Sequence, residues 1–196
     1  MFQVRIHGRG GQGVVTAAEL LSMAAFLGGR QAQAFPSFGS ERTGAPVAAF
    51  CRVDDRLIRV REPVVAPDAL IVGDATLLHQ VDVFAGLSPK GFVVVNSARS
   101  IGDLGLDQLV SRMPAHQVLT VPGSEITRRL LGRPLPHAAL LGAFAALTGV
   151  ISLTSLEAAI EQRFAGEVAQ GNVAAAREAH LLVQNAREGQ SRAAVS

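Results

Sequence analysis

Gly8-Arg9-Gly10-Gly11-Gln12-Gly13 constrains this chain more than any other stretch. It follows the short alternating run Phe2-Gln3-Val4-Arg5-Ile6 and passes directly into Val14-Val15-Thr16-Ala17-Ala18-Glu19-Leu20-Leu21, whose apolar spacing is helical. A strand, a tight turn and a helix therefore open the fold. Glycine suits such a turn because it adopts φ > 0 and admits close backbone approach, leaving the first N–H groups of the helix exposed above the strand ends. A helix end of that kind attracts phosphate or carboxylate. The spacing Gly8-x-Gly10-x-x-Gly13 is also the dinucleotide fingerprint, which expects an acidic residue about 20 positions further on to hold a ribose. Here Gly28-Gly29-Arg30-Gln31-Ala32-Gln33-Ala34 stands in that region, with no acid from there until Glu41. Arg30 offers a partner for a 2′-phosphate, so a self-sufficient NAD(P)-binding oxidoreductase is the alternative to a structural or anion-holding turn.

At 196 residues the chain has the length of one α/β domain with a real core. Hydrophobic content of 48%, charged content of 17% and a mean hydropathy of +0.30 are high for a free-standing protein of this size, so part of the apolar surface is expected to meet another subunit. The longest uncharged apolar run, Ala138 to Ile151, is too short to span a bilayer and reads as a buried helix. No membrane insertion is expected. No signal peptide is expected ahead of Met1-Phe2-Gln3-Val4, which already reads as the start of the fold, so the protein is expected to stay in the cytoplasm. The single cysteine, Cys51, excludes an internal disulfide and cannot by itself hold an iron–sulfur cluster or a structural zinc. Its setting, Val47-Ala48-Ala49-Phe50-Cys51-Arg52-Val53, is that of a packed strand thiol. Lys90 is the only lysine among 18 basic residues, but the arginines form no tract and there is no Trp or Tyr to stack on bases, so nucleic acid is not an expected partner.

Beyond the first helix, which should stop at Gly28-Gly29, a short strand over Gln31 to Ala34 enters the loop Phe35-Pro36-Ser37-Phe38-Gly39-Ser40-Glu41-Arg42-Thr43-Gly44-Ala45-Pro46. Two phenylalanines, a glutamate and an arginine on one loop suggest contact with a ligand or partner subunit. Val47 to Val53 and Leu57 to Val60 flank Asp54-Asp55-Arg56 and read as an antiparallel hairpin. Ala69-Leu70-Ile71-Val72-Gly73 is a covered strand whose end carries Asp74 in a turn or capping role. Leu77 to Phe84 reads as a short helix, Gly91 to Val95 as a strand ended by Asn96-Ser97, and His116 to Val121 as another. Helices are expected over Ile126 to Leu131, Ala138 to Leu147 and, starting from Ser152, through Phe164, with Asn172 capping a last one to about Arg187. The fold class is α/β: a Rossmann-like, mostly parallel sheet flanked by helices, with an antiparallel hairpin and a helical C-terminal part. One domain should cover 1–188, followed by a flexible polar tail over 189–196. No histidine has a partner at metal-ligand spacing and no nucleophile motif occurs, so the chain reads as part of an enzyme rather than a whole one.

Four ordered motifs carry a resemblance. Gly8-Arg9-Gly10-Gly11-Gln12-Gly13-Val14-Val15, then Phe35-Pro36-Ser37-Phe38-Gly39-Ser40-Glu41-Arg42-Thr43-Gly44-Ala45-Pro46, Pro67-Asp68-Ala69-Leu70-Ile71-Val72 and Val95-Asn96-Ser97 resemble the gamma subunit of the 2-oxoacid:acceptor oxidoreductases, the pyruvate:ferredoxin oxidoreductase family. Leu141-Gly142-Ala143-Phe144, Leu156-Glu157-Ala158-Ala159-Ile160 and Asn172-Val173 are similar to that family's closing helices. The resemblance implies a hetero-oligomer with alpha, beta and ferredoxin-like subunits, and in some cases an NAD-reducing subunit, in which other chains hold thiamine diphosphate and iron–sulfur clusters. It further implies that a thiamine carbanion attacks the 2-oxo carbon, carbon dioxide leaves, electrons pass to the clusters and the acyl group goes to coenzyme A. This chain would hold no cofactor or metal alone and carry no catalytic residue. It would support assembly and one wall of the coenzyme A or active-site cleft, with Gly10, Gly11, Gln12, Gly13, Ser37, Arg42, Thr43 and Asn96 as candidate contacts. Thr43 and Ala45 stand where the family often has a second basic residue and a second glycine, and His137 where many members carry asparagine. The 2-oxoacid is therefore open among pyruvate, 2-oxoglutarate and aromatic acids such as indolepyruvate or phenylglyoxylate.

Overall fold

The computed structural model describes residues 1–37, 43–60, 62–114 and 116–193. Its centre is β1 (Phe2–Arg9), inside a six-stranded sheet of order β2-β3-β1-β4-β5-β6, where β2 is Gln31–Pro36, β3 Pro46–Asp54, β4 Ala69–Val72, β5 Phe92–Asn96 and β6 Val118–Val121. β1, β4, β5 and β6 run parallel, with Val4 beside Ala69 and Ile71 beside Val94, whereas β3 is antiparallel to both β1 and β2. The mostly parallel α/β sheet expected from sequence is thus present.

Period-two alternation distributes the strand side chains between two cores. Val4, Ile6, Cys51, Val53, Ala69, Ile71 and Val94 face a layer of α1 (Val14–Leu27), α4 (His137–Thr148), α5 (Leu153–Arg163) and α6 (Gly166–Ala193). Leu70, Val72, Val93, Val95 and Val118 face the opposite way, onto Leu77, Val83, Leu104 and Leu106 of the short turns between β4 and β6. Over β1 and β3 that second face is roofed by the loop after β3, fastened by two buried arginines. Arg5 donates to the Val64, Val83 and Ala85 carbonyls and to His7 Nε2, while Arg52 donates to Gln3 Oε1 and the Glu62 carbonyl and lies 5.0 Å from the Phe35 ring centroid. Accepting the Arg5 bond fixes His7 as a neutral imidazole. Burial first, and the nearby Arg5 charge second, pull its pKa down to about 4.

The loop explains one departure from the sequence reading. Leu57 to Val60 is not the second arm of a hairpin, because β3 already has β2 on one edge and β1 on the other and has no open edge to offer. The antiparallel pairing falls to those neighbours, and Leu57 is left 69% exposed. Helix formation after Asp74 is likewise limited to a single 3₁₀ turn, Ala75–His79, where residues up to Phe84 were expected to be helical. Asn172 does not cap the last helix. α6 already begins at Gly166, and Asn172 sits inside it with Nδ2 donating to the Val168 carbonyl. The neighbouring Gly171 is there for contact, since a Cβ would come within 2.3 Å of Leu131 in α3 (Gly123–Leu131).

α4 behaves as its composition requires. Residues 137–145 and Leu147 are buried, the helix being enclosed by α1, α3, α5, α6 and the sheet. At Gly142 a Cβ would stand 2.0 Å from the Ala176 carbonyl oxygen, so α4 and α6 cross at backbone contact. Among the described residues no helix is long and apolar enough to cross a membrane.

Candidate functional site

The parallel strands end together at Arg9, Val72, Asn96 and Val121, and the site is built along that edge. Gly11 (φ +87°) and Gly13 (φ +84°) take the left-handed conformation that reverses the chain into α1. At Gly8 a Cβ would meet Val14 Cγ2 at 2.5 Å, so that glycine lets helix and strand close together. Gly10 donates to the Ala45 carbonyl at 2.9 Å and accepts from Gly44 N–H at 3.0 Å, which brings Thr43 alongside as an isolated bridge. The structure thus places two of the candidate contact segments, the turn and Thr43, side by side.

Arg9, which the sequence reading passed over, clamps this assembly. Its guanidinium donates to Asp74 Oδ2 at 2.9 Å, the Gly44 carbonyl at 2.9 Å, Thr76 Oγ1 at 2.6 Å and Gln80 Oε1 at 2.9 Å. Gln12 closes the loop from the other side, accepting from Arg9 N–H and donating to Asp74. Asp74 also accepts from Thr76 N–H and Oγ, so it caps the 3₁₀ turn as its position after β4 suggested. Burial is the largest single effect on Asp74 and pushes its pKa up. The bonds from Thr76, Gln12 and Arg9 together outweigh it and hold the carboxyl below its ordinary range. The clamp is therefore ionised and fully bonded, with no acid or base to spare for chemistry.

Asn96 sits two strands away, latching β4 to α3. Its Nδ2 donates to the Gly73 carbonyl and Ser124 Oγ, and its Oδ1 accepts from Ser124 N–H at 3.0 Å. Ser37 is exposed and donates its N–H to the Ala48 carbonyl. Arg42 lies outside the described residues.

His137, first residue of α4, completes the edge. Its ring rests against Gly8, Gly13 and Gly73; a Cβ on Gly73 would meet Cε1 at 2.8 Å. The residue is 6% exposed, and neither ring nitrogen has a hydrogen-bond partner. Burial drives its pKa down to about 4, so the ring is neutral. The glycine cradle thus encloses a side chain of the protein itself. This geometry disfavours the NAD(P) alternative, and so does Arg30. Arg30 pairs with Asp55 at 2.9 Å, next to Gln31 at the start of β2, which is the opposite edge of the sheet from the turn.

Neither α1 nor α4 has a side-chain cap or an acidic residue in its first turn. Their N-terminal N–H groups suit an anion. Among the described residues no three His, Cys, Asp or Glu side chains gather as a metal site. Cys51 is fully buried and its thiol is pushed up to about 12, so no thiolate is available there near neutral pH.

Comparison with known proteins agrees with this architecture. The family model for pyruvate ferredoxin/flavodoxin oxidoreductase matches residues 3–182. The common subunit gamma of pyruvate/ketoisovalerate oxidoreductases from Pyrococcus furiosus is 46% identical over 180 residues, covering 92% of this chain and 96% of that protein. The pyruvate synthase subunit PorC of Methanocaldococcus jannaschii is 44% identical over 92% of this chain and 96% of its own length. The crystal structure of the pyruvate oxidoreductase subunit PORC from Thermotoga maritima superposes with a TM-score of 0.76 at 33% identity, covering 91% of this chain and 94% of that one.

Proposed function

Because the chain belongs to the pyruvate ferredoxin/flavodoxin oxidoreductase family, we propose that it is the gamma subunit of a cytoplasmic, multi-subunit 2-oxoacid:acceptor oxidoreductase. The complex oxidatively decarboxylates a 2-oxoacid to an acyl-CoA. The observation that carries this reading is near end-to-end similarity to gamma and PorC subunits, joined to a site whose ionisable groups are spent on structure. Thiamine diphosphate and iron–sulfur clusters reside in the alpha, beta and ferredoxin-like partners and supply decarboxylation and electron transfer.

This chain contributes assembly and one wall of the coenzyme A or active-site cleft. Gly10, Gly11, Gln12, Gly13 and Thr43 form the wall, with Ser37 and Arg42 on the same loop and Asn96 holding the neighbouring strand end. The uncapped, acid-free start of α1 fits a coenzyme A phosphate. Arg9 and Asp74 keep the turn in place and are positioning residues. In the assembled complex, Arg42→Ala is expected to raise the Michaelis constant for coenzyme A while leaving subunit stoichiometry intact. An unchanged constant would remove the loop from the cleft.

A further inference from the structure

Beneath the glycine turn a groove of about 440 Å³ runs between α1, the α3–α4 connection and the start of α6. Its walls are hydrocarbon: Ala17, Leu20, Leu131, Leu135, Phe164 and Val168. Leu135 and Val168 remain 42% and 51% exposed, so no described element of this fold covers them. Polar groups gather at one end, where Gly13 and Thr16 begin α1, His137 begins α4 and Arg133 stands on the rim. Arg133 has no hydrogen-bond or ion-pair partner among the described residues.

We propose that this groove is a binding site for a small carboxylate with a hydrocarbon body, bordering the coenzyme A wall at Gln12 and Gly13. Volume, apolar walls and a few converging polar groups are those of a small-molecule pocket. The polar end offers donors and no carboxylate: the Arg133 guanidinium and the neutral imidazole of His137 in the groove wall. An anion answers both at once.

His137 is the decisive residue. A buried imidazole without partners gains a hydrogen bond when an acceptor reaches it. No hydrogen bond ties the ring, and a half-turn about its terminal torsion exchanges Nδ1 with Cδ2, the atom beside Gly13 of the groove wall, without changing the shape the glycines enclose. The hydrocarbon body then covers Leu135 and Val168.

The probe is 4-methylpentanoate, which has no 2-oxo group and is not turned over, so its binding is independent of the reaction. It is titrated by calorimetry into the full chain and into the intact complex, with the His137 ring signals followed by NMR in the full chain. The expected result is one site per chain, a shift of the His137 signals, and about tenfold or weaker binding of acetate, inorganic phosphate and 4-methylpentan-1-ol. Arg133→Ala and Leu135→Glu change exposed side chains and should each weaken binding about tenfold, as should His137→Asn. Unaltered affinity in Arg133→Ala and Leu135→Glu would overturn the proposal. So would binding to the full chain that vanishes in the complex, since a partner chain would then be the occupant.

Discussion

Replacing Gly142 by Ala separates two opposing effects on α4. Helix propensity alone favours alanine by about 1 kcal/mol. Against it, the new Cβ would lie 2.0 Å from the Ala176 carbonyl oxygen and 2.7 Å from that residue's carbonyl carbon and Cα. All three are backbone atoms, so no side chain can rotate away. Ordinary contact requires α4 and α6 to part by more than an ångström, in a helix whose residues 137–145 are buried without a break. Overpacking of this kind typically costs about 1–3 kcal/mol and more when backbone must move, so we predict a net loss of about 2 kcal/mol, or about 4–8 °C in melting temperature. Gly189→Ala, in the exposed stretch of α6 with nothing near its Cβ, is the control and should be neutral or gain up to about 1 kcal/mol. Denaturant unfolding of both variants beside the parent checks the pair. Equal or greater stability of Gly142→Ala would refute the close-crossing argument.

Arg9→Lys keeps the charge but cannot reach Asp74, Gly44, Thr76 and Gln80 together, and should cost about 1–3 kcal/mol in the same unfolding assay. Gly73→Ala places a Cβ 2.8 Å from His137 Cε1, so it should displace the ring and shift its NMR signals while the Arg9–Asp74 clamp stays intact. Both His7 and His137 titrate near 4 in the folded chain against 6.5 unfolded, so the unfolded state binds more protons between those values. Stability present above pH 6.5 should therefore fall as pH drops toward 4, by up to about 3 kcal/mol for each, and combined His7→Gln and His137→Asn should flatten that dependence. The Cys51 thiol should resist a disulfide reagent at pH 8 until denaturant is added, and fast labelling of the native chain would contradict its burial.

The framework of the fold was legible because its signals are local. The Gly8–Gly13 turn, the uninterrupted Ala69–Val72 strand and the Ala/Leu/Gly helix after Pro136 each follow from short-range backbone chemistry or periodicity. Errors arose where tertiary contact decides. Nothing local in Leu57 to Val60 reveals that both edges of β3 are taken, and Asn172 reads as a helix cap although α6 already begins at Gly166 and Gly171 serves the approach of Leu131. The site divides in the same way. The turn itself was foreseen, but its bridge to Thr43 was not, and Arg9 is an ordinary surface residue until Asp74, Thr76 and Gln80 are brought to it from 65 or more positions away. His137 drew notice only as a departure from the family pattern, because its role depends on glycines from two other strand ends.

Membership of a multi-subunit 2-oxoacid oxidoreductase is tested most directly by purifying the protein from its source without oxygen and recording native mass spectra alongside 2-oxoacid-dependent reduction of an acceptor. This chain should travel with larger chains carrying thiamine diphosphate and iron–sulfur clusters, and the assembly should reduce the acceptor when given a 2-oxoacid and coenzyme A. A chain that is stable alone, holds a nicotinamide nucleotide and associates with no such partners would contradict it.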